Sequence, residues 1–187
     1  MQKTIILLLT MSAFFLAGCA TSSKKVARQV RPERDYTKER VDLAGKESQD
    51  YRRVQNLFAS GESKKTLLAA RRFQKKYPKS EVVPRVANIQ GLVYLRAKRL
   101  LQARHFFKKA ALSTTDSVFQ NYVLYNLASV EYEAKKFKAA SKTLSRIQPE
   151  DLGYETRIKF HYIQALVLKR QKRYSDALSE LLNASYL

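Results

Sequence analysis

One spacing of small and bulky residues, repeated along the chain, limits the fold more than any other feature. In the stretch Pro84 to Ala110, small residues stand at Gly91, Ala103 and Ala110, with bulky ones beside them at Tyr94, Leu101 and Phe107. Positions three and four apart share one helix face, so the stretch reads as two amphipathic helices joined by a tight turn between Arg96 and Leu100. Gly inside a helix costs roughly 1 kcal/mol against Ala, and at Gly91 that cost implies close approach by the neighbouring helix. Ala103 and Phe107 have counterparts at Ala140 and Leu144, at Ala177 and Leu181, and upstream at Ala69 and Phe73, so the Ala offsets are 34, 37 and 37 residues. Gly91 is matched by Ala128 and Ala165, and by Leu57 in the first unit. Helix-turn-helix units at this period form a solenoid, in which each unit buries its apolar face against its neighbours. The chain has no long alternating run of β-branched residues, which makes it all-α.

These residues resemble the tetratricopeptide repeat family, whose pattern is G-x2-Y followed by A-x3-F-x2-A over a helix pair. Gly91, Tyr94, Ala103, Phe107 and Ala110 fill all five positions. The third unit (Ala128, Ala140, Leu144) and the fourth (Ala165, Ala177, Leu181, Ala184) match more loosely, and the first is weakest. The resemblance implies a right-handed α-solenoid of about four hairpins over residues 50–187. In unit one, helix A spans Asp50 to Ser60 and helix B spans Ser63 to Lys76, with Gly61 at the turn and Ser63 as N-cap. Tyr77-Pro78 ends that unit. Phe73-x3-Tyr77-Pro78-x-Ser80 is similar to a junction found in outer-membrane repeat lipoproteins. Thr114 to Ser117 offer caps for unit three, and Pro149 to Gly153 separates units three and four.

In this family the A helices line a concave groove. By that resemblance the groove of unit two carries Arg85, Asn88, Leu92, Leu95 and Arg96. Unit three supplies Tyr122, Tyr125, Ser129, Tyr132 and Glu133, and unit four supplies Lys159, Tyr162, Leu166, Lys169 and Arg170. Tyr and Arg dominate interface energetics, so a protein or peptide partner with carboxylates and apolar side chains is the expected ligand.

Residues 1–18 have the form of a signal peptide, with Lys3 ahead of an apolar run from Ile5 to Leu16. That run is shorter than the ~20 residues of a spanning helix. Leu16-Ala17-Gly18-Cys19 resembles the lipobox of bacterial lipoproteins, which implies cleavage before Cys19 and acylation of its thiol, palmitate included. Ala20 after the Cys, in place of Asp, implies by the same resemblance the periplasmic face of a Gram-negative outer membrane. Residues 19–49 follow as a lipidated Cys and a polar tether with eight basic and five acidic side chains, too poor in apolar residues to offset its ordering entropy.

The chain carries 36 Lys and Arg against 16 Asp and Glu, a net charge of +20. Such an excess attracts polyanions, and an exported lipoprotein does not meet nucleic acid. The basic residues of the B helices, among them Arg71, Arg104, Lys108 and Lys142, therefore suggest a second function: binding anionic lipid or lipopolysaccharide through the convex face. Leu178, Leu181, Leu182, Tyr186 and Leu187 end the last helix on an apolar face, which suggests self-association there. Cys19 is the sole cysteine, so no disulfide or thiolate metal site forms within the chain. No nucleophile elbow, P-loop, dinucleotide fingerprint or zinc spacing occurs. His161 reads as a packing residue. The expectation is a scaffold without cofactor or catalysis.

Overall fold

The computed structural model describes residues 31–187. The expected signal peptide, the expected lipidation site at Cys19 and the expected tether up to residue 30 lie outside them. Eight α-helices follow one another: α1 (Gly45–Ala59), α2 (Ser63–Lys76), α3 (Val83–Arg96), α4 (Leu100–Ser113), α5 (Ser117–Glu133), α6 (Phe137–Leu144), α7 (Tyr154–Arg170) and α8 (Tyr174–Ser185). A 3-10 turn, Pro149–Asp151, lies between α6 and α7. Consecutive pairs form four hairpins, each packed on the next, which is the α-solenoid that the recurrent spacing predicts.

The repeat is more regular than the Ala positions suggest. The turn from helix A to helix B contains a left-handed residue in every unit: Gly61, Lys98, Lys135 and Lys172, with φ of 76°, 56°, 58° and 62°. These positions are 37 residues apart throughout. Each turn closes with the same two bonds. In unit two, Lys98 N–H donates to Leu95 O and Arg99 N–H to Tyr94 O. Gly61 and Glu62, Lys135 and Lys136, and Lys172 and Arg173 repeat the pair. This is the Schellman closure of a helix C-terminus. Carried back by 37, Ala103 aligns with Thr66 and Gly91 with Val54. The match of Ala69 and Leu57 to those positions is therefore corrected: Thr66 and Val54 are fully buried, whereas Ala69 is only partly so.

Three of these left-handed positions are lysines, and a side chain there costs about 1–2 kcal/mol relative to right-handed geometry. Lys98→Gly, Lys135→Gly and Lys172→Gly each raise stability by about 1 kcal/mol, read as a higher urea midpoint with unchanged helicity.

The core runs continuously along the stack. Tyr51, Val54, Phe58, Ala70, Phe73, Val86, Ile89 and Val93 bind unit one to unit two. Phe107, Phe119, Val123, Leu127, Ala140, Leu144 and Phe160 continue it through units two to four. A Cβ built on Gly91 falls 2.6 Å from two ring carbons of Phe107. The glycine thus makes room for a buried ring rather than for a neighbouring backbone.

Local boundaries differ from expectation in three places. Helix α1 starts at Gly45, five residues before Asp50. Glu62 holds the N-cap position of α2, so Ser63 is its first helical residue and does not cap it. Helix α6 has only eight residues, and the chain tightens after it, Arg146 N–H donating to Thr143 O and Ile147 N–H to Leu144 O, before Pro149 opens the 3-10 segment. Asp116 does cap α5, accepting from Phe119 N–H at 3.0 Å.

Candidate partner-binding face

The A helices α1, α3, α5 and α7 stand side by side, and the expected groove residues fall on them. Part of that face is already covered. Residues 31–43, expected as tether, cross the N-terminal ends of α7, α5 and α3 and reach α1 at Gln55, running from unit four back to unit one.

At the far end, Arg31 Nη2 bonds Asp151 Oδ1 at 3.2 Å, and Arg31 O accepts Tyr154 N–H at 3.0 Å. Glu33 accepts Thr156 N–H at 3.2 Å and Thr156 Oγ1 at 2.6 Å. Helix α7 begins after Gly153, which has no side chain to cap it. Glu33 supplies the cap from 120 residues upstream and places a carboxylate at the positive end of the helix dipole. In the centre, Tyr36 is 5% exposed and packs against Phe119 and Tyr122, with ring centroids 5.2 and 4.7 Å apart. Burying a large apolar side chain contributes about 1.5–3 kcal/mol. Glu39 then meets Arg85 Nε at 3.0 Å, and its carbonyl accepts Gln55 Nε2 at 3.0 Å. Val41 and Leu43 finish against the core of units one and two. The segment evaded sequence reading because its three large apolar residues are isolated among charges, and their partners come from distant helices.

Beyond this strap the A-helix face is open. Phe58, Leu92, Leu95 and Tyr122 line a cleft of about 470 Å³, edged by Arg96, Lys98 and Glu133 and, on the strap side, by Asp35 and Thr37. Arg96 lies over the Phe58 ring at 3.9 Å and donates to Phe58 O at 3.3 Å.

The expected groove residues therefore divide. Arg85 is largely buried, held between Glu39 and Asp116 at 3.0 Å each and over the Phe119 ring at 4.8 Å. Burial opposes its charge most, but Glu39, Tyr51 and Asp116 together outweigh burial and keep the guanidinium above its ordinary value. Asn88 is not on the face: it is 1% exposed and accepts from Asn126 Nδ2 at 3.3 Å, joining units two and three. Tyr122 and Tyr125 are partly buried, and burial pushes both phenols up. Tyr132 packs at a tilt against Phe137, over which Arg170 lies at 5.4 Å. Lys159, Tyr162 and Lys169 project to solvent.

On the B helices, Arg71, Lys108 and Lys142 are exposed, but Arg104 is drawn inward to the buried Glu131 at 2.8 Å and does not belong to a cationic strip. Glu131 also accepts Thr143 Oγ1 at 2.7 Å, while Glu133 is exposed. His161 is buried, with Nδ1 2.7 Å from Glu180. Among the described residues, no His, Cys, Asp and Glu cluster could hold a metal ion, and no helix is long and apolar enough to cross a membrane.

Four stacked hairpins with a recessed A-helix face define a helical-repeat protein of the kind that binds other proteins. The tetratricopeptide repeat-like domain matches residues 33–158, from the strap into α7, and the chain belongs to that family. No curated protein and no solved structure matches the sequence. The family's fold is typically a non-catalytic scaffold for protein interactions.

Proposed function

We propose that this protein is a lipid-anchored scaffold of a bacterial outer membrane, which holds a protein component of an envelope machine against its A-helix face. The observation that carries the binding half is the open cleft, apolar at its floor and edged by the cations Arg96 and Lys98 as well as by Asp35 and Glu133. A segment with apolar and acidic side chains complements it. The anchoring half rests on Leu16-Ala17-Gly18-Cys19 after a short apolar run. Acyl chains on Cys19 contribute about 0.8 kcal/mol per buried CH2. Barrel-protein assembly, secretin piloting and cell-wall coordination are settings consistent with both halves.

A photocrosslinker at Tyr125 or Tyr162 traps a protein in envelope preparations, and Tyr122→Ala/Tyr125→Ala/Tyr162→Ala abolishes its recovery while helicity is kept. Crosslinks to lipid alone would refute the scaffold and favour the second reading, anionic-lipid binding through exposed B-helix cations such as Lys108 and Lys142. Cys19→Ser moves the protein from the membrane to the soluble fraction. An unchanged distribution would exclude the anchor. Self-association through α8 rests on Leu178, Leu181 and Leu182, which are 45–58% exposed. It shows as concentration-dependent sedimentation that Leu181→Lys removes.

A further inference from the structure

The strap is a peptide bound by the face that the proposed function assigns to a partner, and its contacts describe what that face recognises. Its three principal contacts are evenly spaced: Glu33, Tyr36 and Glu39, three residues apart. The first carboxylate meets the uncapped start of α7 at Thr156, the ring enters between Phe119 and Tyr122, and the second carboxylate meets Arg85. Each receptor group comes from a different A helix or a different end of the face, and none belongs to the strap's own neighbourhood in sequence.

We propose that residues 31–43 are a built-in occupant of the A-helix face. The partner is then a peptide that turns at an aromatic side chain flanked three residues away on both sides by carboxylates, and it enters by displacing them. The inference rests on the scaffold reading and narrows it to a peptide chemistry. Charge complementarity supports it: the receptor side offers a guanidinium and a helix N-terminus in a chain of net charge +20, while the two strap side chains that reach them are both acidic. The strap is also separable from the repeats it covers. It has no regular secondary structure apart from one turn, and the hairpins pack on one another without it.

Gly153 is part of the seat that receives Glu33. A Cβ there falls 2.6 Å from Glu33 Oε2 and 2.7 Å from Glu33 Cα, while the φ of −64° suits any residue. Gly153→Ala therefore pushes the strap's leading end off α7. The test uses the full chain and a fluorescent peptide of residues 31–43, read by anisotropy. The wild-type chain binds this peptide weakly, because its own copy holds the face. A chain with Glu33→Ala and Tyr36→Ala, whose receptor groups are intact, binds it at least tenfold more tightly, and the gain is lost when the peptide itself carries Tyr36→Ala or when Gly153→Ala is added to the chain.

If the doubly substituted chain keeps its helicity and thermal midpoint but binds no peptide, the face does not recognise this chemistry and the proposal fails. Loss of helicity in that chain would make the strap a part of the fold rather than an occupant, which also overturns it. Hydrogen exchange on the wild-type chain gives an independent check. Amides of residues 31–43 must exchange by local opening while α3 to α5 stay protected, and exchange only on global unfolding would refute displacement. The Tyr125 crosslink separates this failure from failure of the scaffold reading: a trapped protein with no peptide binding refutes only the inference, and neither result refutes both.

Discussion

Phe107→Ala lowers the unfolding free energy by about 3–5 kcal/mol, the range for deleting a buried aromatic, and the urea midpoint falls accordingly. Phe107 is completely buried in the core that runs through units two to four. Its ring fills the space that Gly91 leaves open, so truncation creates a cavity walled by two helices that are also tied to their neighbours. The reciprocal change has the opposite geometry. Gly91→Ala gains about 1 kcal/mol in helix propensity, but its Cβ meets the ring at 2.6 Å, and overpacking of this kind costs about 1–3 kcal/mol. The pair is therefore non-additive. Gly91→Ala combined with Phe107→Leu is less destabilised than the sum of the single changes, and a sum that holds would place the two residues out of contact.

The second large effect is alkaline. Burial pushes the phenols of Tyr36, Tyr51, Tyr122 and Tyr125 above their ordinary value of 10.0, Tyr51 furthest. In the unfolded chain these groups ionise at about 10, so above that pH the unfolded state binds fewer protons than the folded one. Stability is then fully present below pH ~10 and falls as pH rises through the folded-state values. Each unit of lag is about 1.4 kcal/mol per phenol. An ultraviolet titration of the eleven tyrosines shows at least four ionising late, together with loss of helical ellipticity. A single smooth phase near 10 with helicity intact would contradict the burial. Tyr36→Phe removes one late phenol while keeping the ring between Phe119 and Tyr122.

The fold was legible because the spacing of Gly91, Ala103, Phe107 and Ala110 is local, and the same helix-packing demand reappears in units three and four. Unit one misled because Ala69 and Phe73 imitate the pattern by residue type, while the true register is marked by Gly61. That glycine sits 37 residues before Lys98 and takes the same left-handed turn. A lysine is no sequence signal for that conformation, so the matching positions in units two to four were hidden. Asn88 fell on the expected groove by counting, yet its amide faces Asn126, because a buried polar group in a repeat seam needs a partner in the next unit. The strap was unreadable for a different reason. Its composition is that of a disordered segment, and its order comes from groups that the chain brings together only after four units have stacked.

The link between Glu33 and Thr156 also fixes an order of events in the making of the chain. Neighbouring hairpins can form as soon as each has been synthesised, whereas a contact spanning 123 residues must wait until α7 has begun. Residues 31–43 thus come first in chain order among the described segments and find their seat last. During that interval Tyr36 and its flanking acids are unsheltered, and whatever attends the nascent chain meets them before the protein itself does.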